Sequence, residues 1–341
     1  MRKLLVRTLL SLPGRWLVAM SGGKPVTIEG RTLDPRLQFL SAMAKRQPSM
    51  ATLSPIEARK AAAEGLALLD GEPSHDVDIE NFSIPGPGDV RLRARAYKPR
   101  LPNRLVPTLV YFHMGGCVIG DLETSHVFCS LIALRAGCLV ISVDYRLAPE
   151  HKFPAAADDA LAAFRWVREN ARTLGGNPGR VAVGGDSAGG YLSAVIAQEL
   201  KRLNEKPPVL QLLIYPAVDW LSETASMKSF GEAYPLTTPI MDYFRSHYFA
   251  KPEEEAKDLR ASPGLCSDLS GLPPALIYTA GFDPLVDQGR DYAEALKVAG
   301  VPVIYRCYDQ LSHAFTAMSG AVPAAKLALI EIIEDLRRAI A

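Results

Sequence analysis

The feature that most constrains the fold is a series of short apolar runs with helical patterns between them. The runs lie at 108–112, 138–143, 180–185, 209–215, 275–280 and 301–306. Continuous runs of this kind are typical of strands that are buried on both faces. Most of them are separated by helical patterns, at 155–172, 188–203, 286–299 and 324–340. This alternation predicts an α/β fold with a mostly parallel central sheet that is flanked by helices.

The part of the chain before these runs has two different patterns. Residues 77–84 and 90–97 alternate between apolar and polar, with Pro-Gly-Pro-Gly at 85–88 between them. This predicts an antiparallel hairpin with one solvent-exposed face. Residues 1–75 look helical and irregular, without a strand pattern between residues 30 and 71, and Ser54-Pro55-Ile56-Glu57 predicts the start of a helix.

Composition limits the class of protein. The chain has 341 residues, of which 48% are hydrophobic, and this is enough for a large core. A formal net charge of +1 gives no indication of a nucleic-acid partner. The five cysteines have no zinc-type spacing, so no metal site is expected, and they favour free thiols in a reducing compartment. We therefore expect a cytoplasmic protein.

The first 16 residues are basic and rich in leucine, and they allow three interpretations. They resemble an export signal, but Arg7 and Pro13 interrupt the apolar run, and no cleavage site is evident. No stretch reaches the roughly 18 apolar residues of a membrane span. The segment could instead lie on a membrane surface. We favour the third interpretation, a short amphipathic helix packed on the protein itself.

An aromatic insertion follows the fourth apolar run. Residues 220–260 have no strand pattern. Their aromatic and methionine residues are Trp220, Met227, Phe230, Tyr234, Met241, Tyr243, Phe244, Tyr248 and Phe249. Such a segment is a lid over a pocket, a partner surface or additional core.

The sequence Gly185-Asp186-Ser187-Ala188-Gly189 matches the pattern G-x-S-x-G between a predicted strand and a predicted helix. This strand–turn–helix context is the one that a catalytic serine requires. The helix start also stabilises negative charge beside the hydroxyl. Alternatively, Ser187 caps the helix. A cap alone does not explain glycines on both sides of the serine, so we interpret Ser187 as a nucleophile.

A serine nucleophile needs a histidine base that a buried carboxylate orients, in the chain order serine, acid, histidine. Only His247 and His313 follow Ser187. We predict that His313 is the base, because it comes just after the last strand, at the edge of the sheet where ligands bind. Asp283 follows the preceding strand and is the predicted acid. We prefer it to Asp287, which lies in the first turn of the next helix, where an acid is favourable for structure alone.

An oxyanion needs backbone N–H donors, from the residue after the nucleophile and from a loop after an early strand. Ala188 is the first predicted donor. The second source is the loop 112–116, with Gly115 and Gly116, unless it is a plain glycine turn. His113 precedes Ser187, so we expect it to organise this loop rather than act as the base.

Together these motifs resemble the hormone-sensitive-lipase-like family of bacterial esterases and lipases, which are α/β-hydrolases. The motifs are His113-Met-Gly-Gly, Asp144-Tyr-Arg-Leu-Ala-Pro-Glu150, Phe153-Pro-Ala-Ala, Gly185-Asp-Ser-Ala-Gly189, Asp283-Pro-Leu and His313-Ala-Phe. The resemblance covers residues 77–341 and implies an eight-stranded sheet with a helical cap. It assigns 76–219 and 261–341 to the catalytic domain, and 1–75 and 220–260 to the cap.

The resemblance also implies residue roles. It gives Ser187 as nucleophile, Asp283 as acid and His313 as base, with the three donors named above. The family positions at Glu150 and Asp158 look structural. The remaining candidates for the pocket or its support are His113, Met114 and Asp186.

The chain departs from the family pattern at two positions. The family usually has His-Gly-Gly-Gly and then an aromatic residue, whereas this chain has Met114 at the first glycine and Cys117 after the last. We expect Met114 to alter the loop or to narrow the pocket. Cys117 either makes activity sensitive to thiol reagents or is a buried, inert thiol, and we favour the latter.

The resemblance implies a carboxylic-ester hydrolase that acts on short- to medium-chain acyl esters, without a metal or organic cofactor. Its substrate is a small molecule, and analogy suggests a homodimer. Two alternatives exist. Some relatives are small-molecule receptors that have lost the catalytic histidine, but His313 is present here. An amidase, deacetylase or lactonase would use the same residues, since specificity depends on the pocket.

Overall fold

A computed structural model describes residues 2–101 and 104–341. Two short strands, β1 (Thr27–Ile28) and β2 (Arg31–Thr32), form a separate antiparallel hairpin. The main sheet has eight strands: β3 (Val77–Pro85), β4 (Arg91–Pro99), β5 (Val106–Phe112), β6 (Leu139–Asp144), β7 (Gly176–Asp186), β8 (Gln211–Ile214), β9 (Ala275–Phe282) and β10 (Val303–Ser312). Their order across the sheet is β10-β9-β8-β7-β5-β6-β4-β3.

The sheet is parallel from β5 to β10, and only β3 and β4 run antiparallel to their neighbours. This confirms the predicted eight-stranded, mostly parallel sheet. Strands β8 and β9 are buried along their whole length, as expected for continuous apolar runs. In the hairpin, β3 is mostly exposed, but β4 is buried from residue 94 to 97. The predicted exposed face is therefore limited to β3 and the start of β4, because helix α5 (His126–Ala136) packs against β4.

Helices cover both faces of the sheet. They are α5 (His126–Ala136), α6 (Ala155–Leu174), α7 (Ala188–Arg202), α11 (Val286–Val298) and α12 (Pro323–Ile340). One large apolar core includes α6 and α7, and the other includes α5 and α12. The four predicted helices agree with the observed ones to within two residues at each end. The sequence pattern missed α5, because its apolar residues lie on every side of the helix and give no helical period.

The remaining helices lie in the two segments expected to form a cap. The N-terminal segment contains α1 (Arg2–Leu10), α2 (Gly14–Met20), α3 (Pro35–Ala44) and α4 (Pro55–Leu69), and the insertion contains α8 (Ala225–Ser229), α9 (Thr238–Tyr248) and α10 (Pro252–Glu255). Helix α4 begins where predicted, since Ser54 and Glu57 form a reciprocal capping box. The expectation of no strand between residues 30 and 71 is wrong at β2, which is too short to show alternation. In the described ranges, no helix is both long and apolar enough to cross a bilayer.

Candidate active site

Ser187 lies in a tight turn between β7, which ends at Asp186, and α7, which begins at Ala188. Its backbone has φ 53° and ψ −114°, a conformation that costs an L-residue about 1–3 kcal/mol. A Cβ atom on Gly185 would lie 2.4 Å from the carbonyl carbon of Gly189, and one on Gly189 would lie 1.8 Å from a backbone oxygen of β5. Both glycines are therefore required, because α7 approaches the sheet too closely for side chains there.

The side chain of Ser187 does not cap α7, although the residue holds the capping position. Its Oγ lies instead 2.9 Å from Nε2 of His313. The alternative interpretation of Ser187 as a simple helix cap is therefore wrong. Only 7% of Ser187 is exposed, and this residue lies at the floor of a cleft.

His313 and Asp283 complete a chain of hydrogen bonds. The imidazole Nδ1 lies 2.7 Å from Oδ2 of Asp283, and the Leu285 N–H donates to Oδ1 of the same carboxylate at 2.9 Å. Asp283 is fully buried and His313 is buried. When Nδ1–H donates to the carboxylate, Nε2 is free to accept the serine proton. The three residues come directly after β7, β9 and β10, which are parallel strands and therefore end at the same edge of the sheet.

The two rival candidates for acid and base lie elsewhere. Asp287 accepts a hydrogen bond from the Ser226 N–H at 2.8 Å and pairs with Arg290 at 2.8 Å. Nδ1 of His247 lies 2.9 Å from the backbone oxygen of Tyr243 within α9. Both side chains have local structural contacts, and the structure brings neither into the Ser187 group.

The three predicted oxyanion donors are unpaired backbone groups. Within residues 2–101 and 104–341, no acceptor receives a hydrogen bond from the N–H groups of Gly115, Gly116 or Ala188. The two glycines follow β5 with φ values of 129° and 60°. Ala188 is the first residue of α7, where the helix dipole favours negative charge. An oxyanion site requires backbone donors that no protein group occupies, and these three N–H groups meet that requirement in the described residues.

His113 contacts its own loop and Tyr145. Its ring is fully buried and stacks on Tyr145, with the centroids 4.4 Å apart. Nδ1 lies 2.7 Å from the backbone oxygen of Met114, and the Tyr145 hydroxyl donates to the His113 carbonyl at 2.8 Å. This agrees with its predicted role as an organiser of the loop.

A buried polar cluster connects the nucleophile turn to the histidine loop. The Thr316 hydroxyl donates to Oδ2 of Asp186 at 2.7 Å, and the Tyr215 hydroxyl donates to the same oxygen at 3.1 Å. Burial raises the pKa of Asp186 above its ordinary value. The ring of Tyr215 lies 4.6 Å from that of His313, centroid to centroid. The sequence interpretation missed Tyr215 and Thr316; their positions just after a strand and just after His313 are the only signals.

A cleft of about 1530 Å³ opens above Ser187 and His313. The loop with Gly115 and Gly116 and the helices α1, α3, α4 and α9 line it. Its apolar lining includes Val6, Leu9, Leu40, Met114, Ile240 and Phe244. Met114 therefore forms part of the pocket wall, consistent with the expectation that this departure from the family pattern affects the pocket.

Cys117 is an inert side chain in this setting. It is fully buried, and burial raises the pKa of its thiol to about 12. Since the thiolate is the reactive form, the expected buried and unreactive thiol agrees with the structure.

Glu150 forms an ion pair with the N-terminal segment. The Arg59 guanidinium, on α4, donates to both carboxylate oxygens of Glu150, at 2.8 and 2.6 Å. It also donates to the backbone oxygens of Val118 and Ala148. The hydrogen bonds from Arg59 lower the pKa of Glu150 to about 2. Asp158 lies 3.5 Å from Arg260, so both acids have the structural contacts that the resemblance implies.

Comparisons with known proteins agree with this geometry. A family model described as the alpha/beta hydrolase fold matches residues 109–317. The carboxylic ester hydrolase LipN of Mycobacterium tuberculosis is 44% identical over 303 residues, covering 87% of this chain and 80% of LipN. The ethyl acetate hydrolase of Pseudomonas putida is 37% identical and covers 85% and 92% of the two chains. The solved esterase of the archaeon Pyrobaculum calidifontis has a TM-score of 0.81 at 39% identity, covering 89% and 97%.

Proposed function

The chain belongs to the hormone-sensitive-lipase-like family of α/β-hydrolases and is a carboxylic ester hydrolase, and from this premise we propose that Ser187, Asp283 and His313 are its catalytic triad. The observation that carries the proposal is the continuous hydrogen-bonded chain from Oγ of Ser187 through the imidazole to the carboxylate. Ser187 and His313 face a cleft that is lined by residues of both cap segments, 1–75 and 220–260. We propose that these two segments form one cap over the site.

The proposed mechanism has two half-reactions. Oγ of Ser187 attacks the ester carbonyl while Nε2 of His313 takes the hydroxyl proton. The N–H groups of Gly115, Gly116 and Ala188 stabilise the oxyanion of the tetrahedral intermediate. The intermediate collapses to an acyl-serine, and the alcohol leaves with the proton from His313. A water molecule then loses a proton to His313 and attacks the acyl group, which releases the acid and restores the serine.

Asp283 keeps the imidazole in the required tautomer and stabilises its charged form. This role follows from the 2.7 Å contact with Nδ1 and from the complete burial of the carboxylate. His113, Asp186 and Glu150 do not enter the steps. We propose that they support the oxyanion loop, the nucleophile turn and the attachment of α4 respectively.

For the substrate we propose short- to medium-chain acyl esters. One relative is named ethyl acetate hydrolase, which is consistent with short acyl groups. Met114 and Phe244 are apolar residues of the cleft lining, and the Phe244 ring lies against Gly116 of the donor loop. Hydrolysis of p-nitrophenyl acetate, butyrate, octanoate and palmitate tests this: we expect the highest kcat/KM among the first three. A maximum at palmitate would contradict the assignment.

We also propose a cytoplasmic homodimer without a nucleic-acid partner. The five cysteines are free thiols, which suits a reducing compartment, and the overall net charge of +1 gives no indication of a nucleic-acid partner. Strand β10 is an edge of the sheet, where a second copy could pair. Light scattering coupled to gel filtration measures the assembly: a monomeric mass would contradict the dimer.

Covalent labelling tests the triad independently of turnover. A p-nitrophenyl phosphonate ester should modify Ser187 with loss of p-nitrophenolate, and peptide mass spectrometry identifies the labelled residue. His313→Asn should label far more slowly, because no base activates the serine. His247→Asn is the matched control and should label like the wild type. Labelling that is unaffected by His313→Asn, or located on another residue, would overturn the proposed triad.

A further inference from the structure

Large exposed apolar side chains are concentrated in the two N-terminal helices. Leu4 and Leu5 on α1 are 71% and 69% exposed, and Trp16 and Met20 on α2 are 54% and 45% exposed. Elsewhere in the described chain such side chains occur singly or in pairs, such as Leu101 and Leu105. Leu4 and Leu5 are adjacent, and Trp16 and Met20 lie one turn apart on α2; exposed apolar side chains grouped in this way are typical of an interaction site.

Each helix has an inward and an outward apolar face. On α1, Leu10 is buried, whereas Leu4 and Leu5 point away from the core. On α2, Leu17 is fully buried, whereas Trp16 and Met20 lie on the exposed side. From the sequence, we expect the first 16 residues to form an amphipathic helix packed on the protein. That packing explains the buried faces of α1 and α2 but not their exposed apolar side chains. The outward faces are left without a partner in the described structure.

The same segment carries an excess of positive charge. Residues 1–26 contain Arg2, Lys3, Arg7, Arg15 and Lys24 and no acidic residue, although the whole chain has a net charge of only +1. Lys3 and Arg7 are ion-paired with Glu72. Arg2, Arg15 and Lys24 are exposed and have no ion pair within the described residues. Apolar side chains beside unpaired cations are complementary to a surface of anionic lipids.

Helix α1 also adjoins the active-site cleft. Arg2, Val6 and Leu9 of α1 line the same cleft as Ser187 and His313. A molecule that occupies the surface against α1 is therefore close to the entrance of the cleft.

We propose that the outward faces of α1 and α2 bind the surface of an anionic lipid bilayer. Leu4, Leu5 and Trp16 enter the interface between headgroups and acyl chains, while Arg15 and Lys24 contact the phosphates. The association is peripheral and reversible, and it weakens as salt screens the charges. The proposal goes beyond ester hydrolysis and does not depend on it, since binding is measured without substrate.

Sedimentation with vesicles tests the proposal. The full chain should bind vesicles of phosphatidylcholine and phosphatidylglycerol, and bind about tenfold less to pure phosphatidylcholine or at high salt. Leu4→Ser/Leu5→Ser should reduce binding about tenfold, and Arg15→Gln/Lys24→Gln should reduce it and flatten its salt dependence. The matched control is Leu327→Ser, at a position on α12 that is 63% exposed, and it should bind like the wild type.

Trp16 provides a second readout. Its fluorescence should shift to the blue when anionic vesicles are added, and Trp16→Phe should abolish most of the shift, because Trp166 and Trp220 are partly buried and pack against the core. Turnover of a soluble ester should be unchanged in Leu4→Ser/Leu5→Ser, which shows that this variant is folded. Absence of binding to anionic vesicles, or equal binding by this variant, would overturn the proposal. It would also be overturned if the wild type used these faces for self-association, seen as a dimer that the variant abolishes.

Discussion

The ring of Phe244 fills the space that a side chain on Gly116 would need. A Cβ atom on Gly116 would lie 2.3 Å from Cγ of Phe244. Phe244 belongs to α9 in the insertion, whereas Gly116 is a proposed oxyanion donor of the catalytic domain. The insertion therefore contacts the donor loop directly, and the position of α9 and the geometry of the loop depend on each other.

Gly116→Ala should reduce kcat/KM about 10²–10³-fold, the loss expected when an oxyanion donor is displaced. The new methyl group must displace either the Phe244 ring or the loop. Gly271→Ala is the matched control, because Gly271 has φ 66° against 60° for Gly116 but no atom within 4 Å of a new Cβ. Steady-state kinetics of both variants separate steric displacement from backbone strain. Equal kcat/KM for Gly116→Ala and the wild type would contradict the role of this loop.

Thr316→Val should destabilise the fold by about 1–3 kcal/mol, because buried Asp186 loses a hydrogen-bond donor. We also expect kcat to fall with KM unchanged, since Thr316 lies three residues after His313 in the same loop. Thr108→Val is the matched control: this hydroxyl is also buried but has no hydrogen-bond partner in the described chain. Chemical denaturation compares the two. Similar losses of stability in both variants would show that the hydrogen bond from Thr316 to Asp186 does not stabilise the fold.

Asp70 gives the stability of the protein a defined pH dependence. Burial raises the pKa of this carboxyl from 3.8 to about 6, and it accepts hydrogen bonds from the Gly71 N–H and the Ser319 hydroxyl. The unfolded chain loses the proton more readily than the folded one. The contribution of Asp70 to stability is therefore complete below the unfolded pKa and is lost as the pH rises to about 6.

Asp70→Asn should consequently raise the free energy of unfolding at neutral pH by up to about 3 kcal/mol, since the amide keeps the acceptor and carries no charge. The difference from the wild type should shrink steadily as the pH is lowered from about 6 towards 4. Urea denaturation at several pH values measures it. A constant difference across this range, or a destabilised variant at neutral pH, would contradict the assigned pKa.

Much of the site could be predicted from the sequence because its signals are local or ordered along the chain. The glycines around Ser187 reflect a close approach of backbone, and Asp283 and His313 each follow a recognisable strand. The order of the strands in the sheet could not be predicted from the apolar runs alone, since each run could pair with several others. The eight-stranded sheet came from the resemblance to a family.

Other features depend on contacts between distant parts of the chain. Asp186 and Thr316 are 130 residues apart, and neither residue type indicates the other in the sequence. The same holds for Arg59 and Glu150, and for the contribution of α1 to the cleft. The boundaries of the cap and the catalytic roles of the site residues stay predictions that the experiments above address.

The most direct test is the rate of p-nitrophenyl butyrate hydrolysis by Ser187→Ala, compared with the wild type and with Ser125→Ala. Ser125 is a buried serine whose hydroxyl has no hydrogen-bond partner in the described residues, so its loss should leave kcat unchanged. Loss of the nucleophile should reduce kcat by about 10⁶-fold while the variant stays folded. Substantial turnover by purified, folded Ser187→Ala would show that another group attacks the ester and would contradict the account.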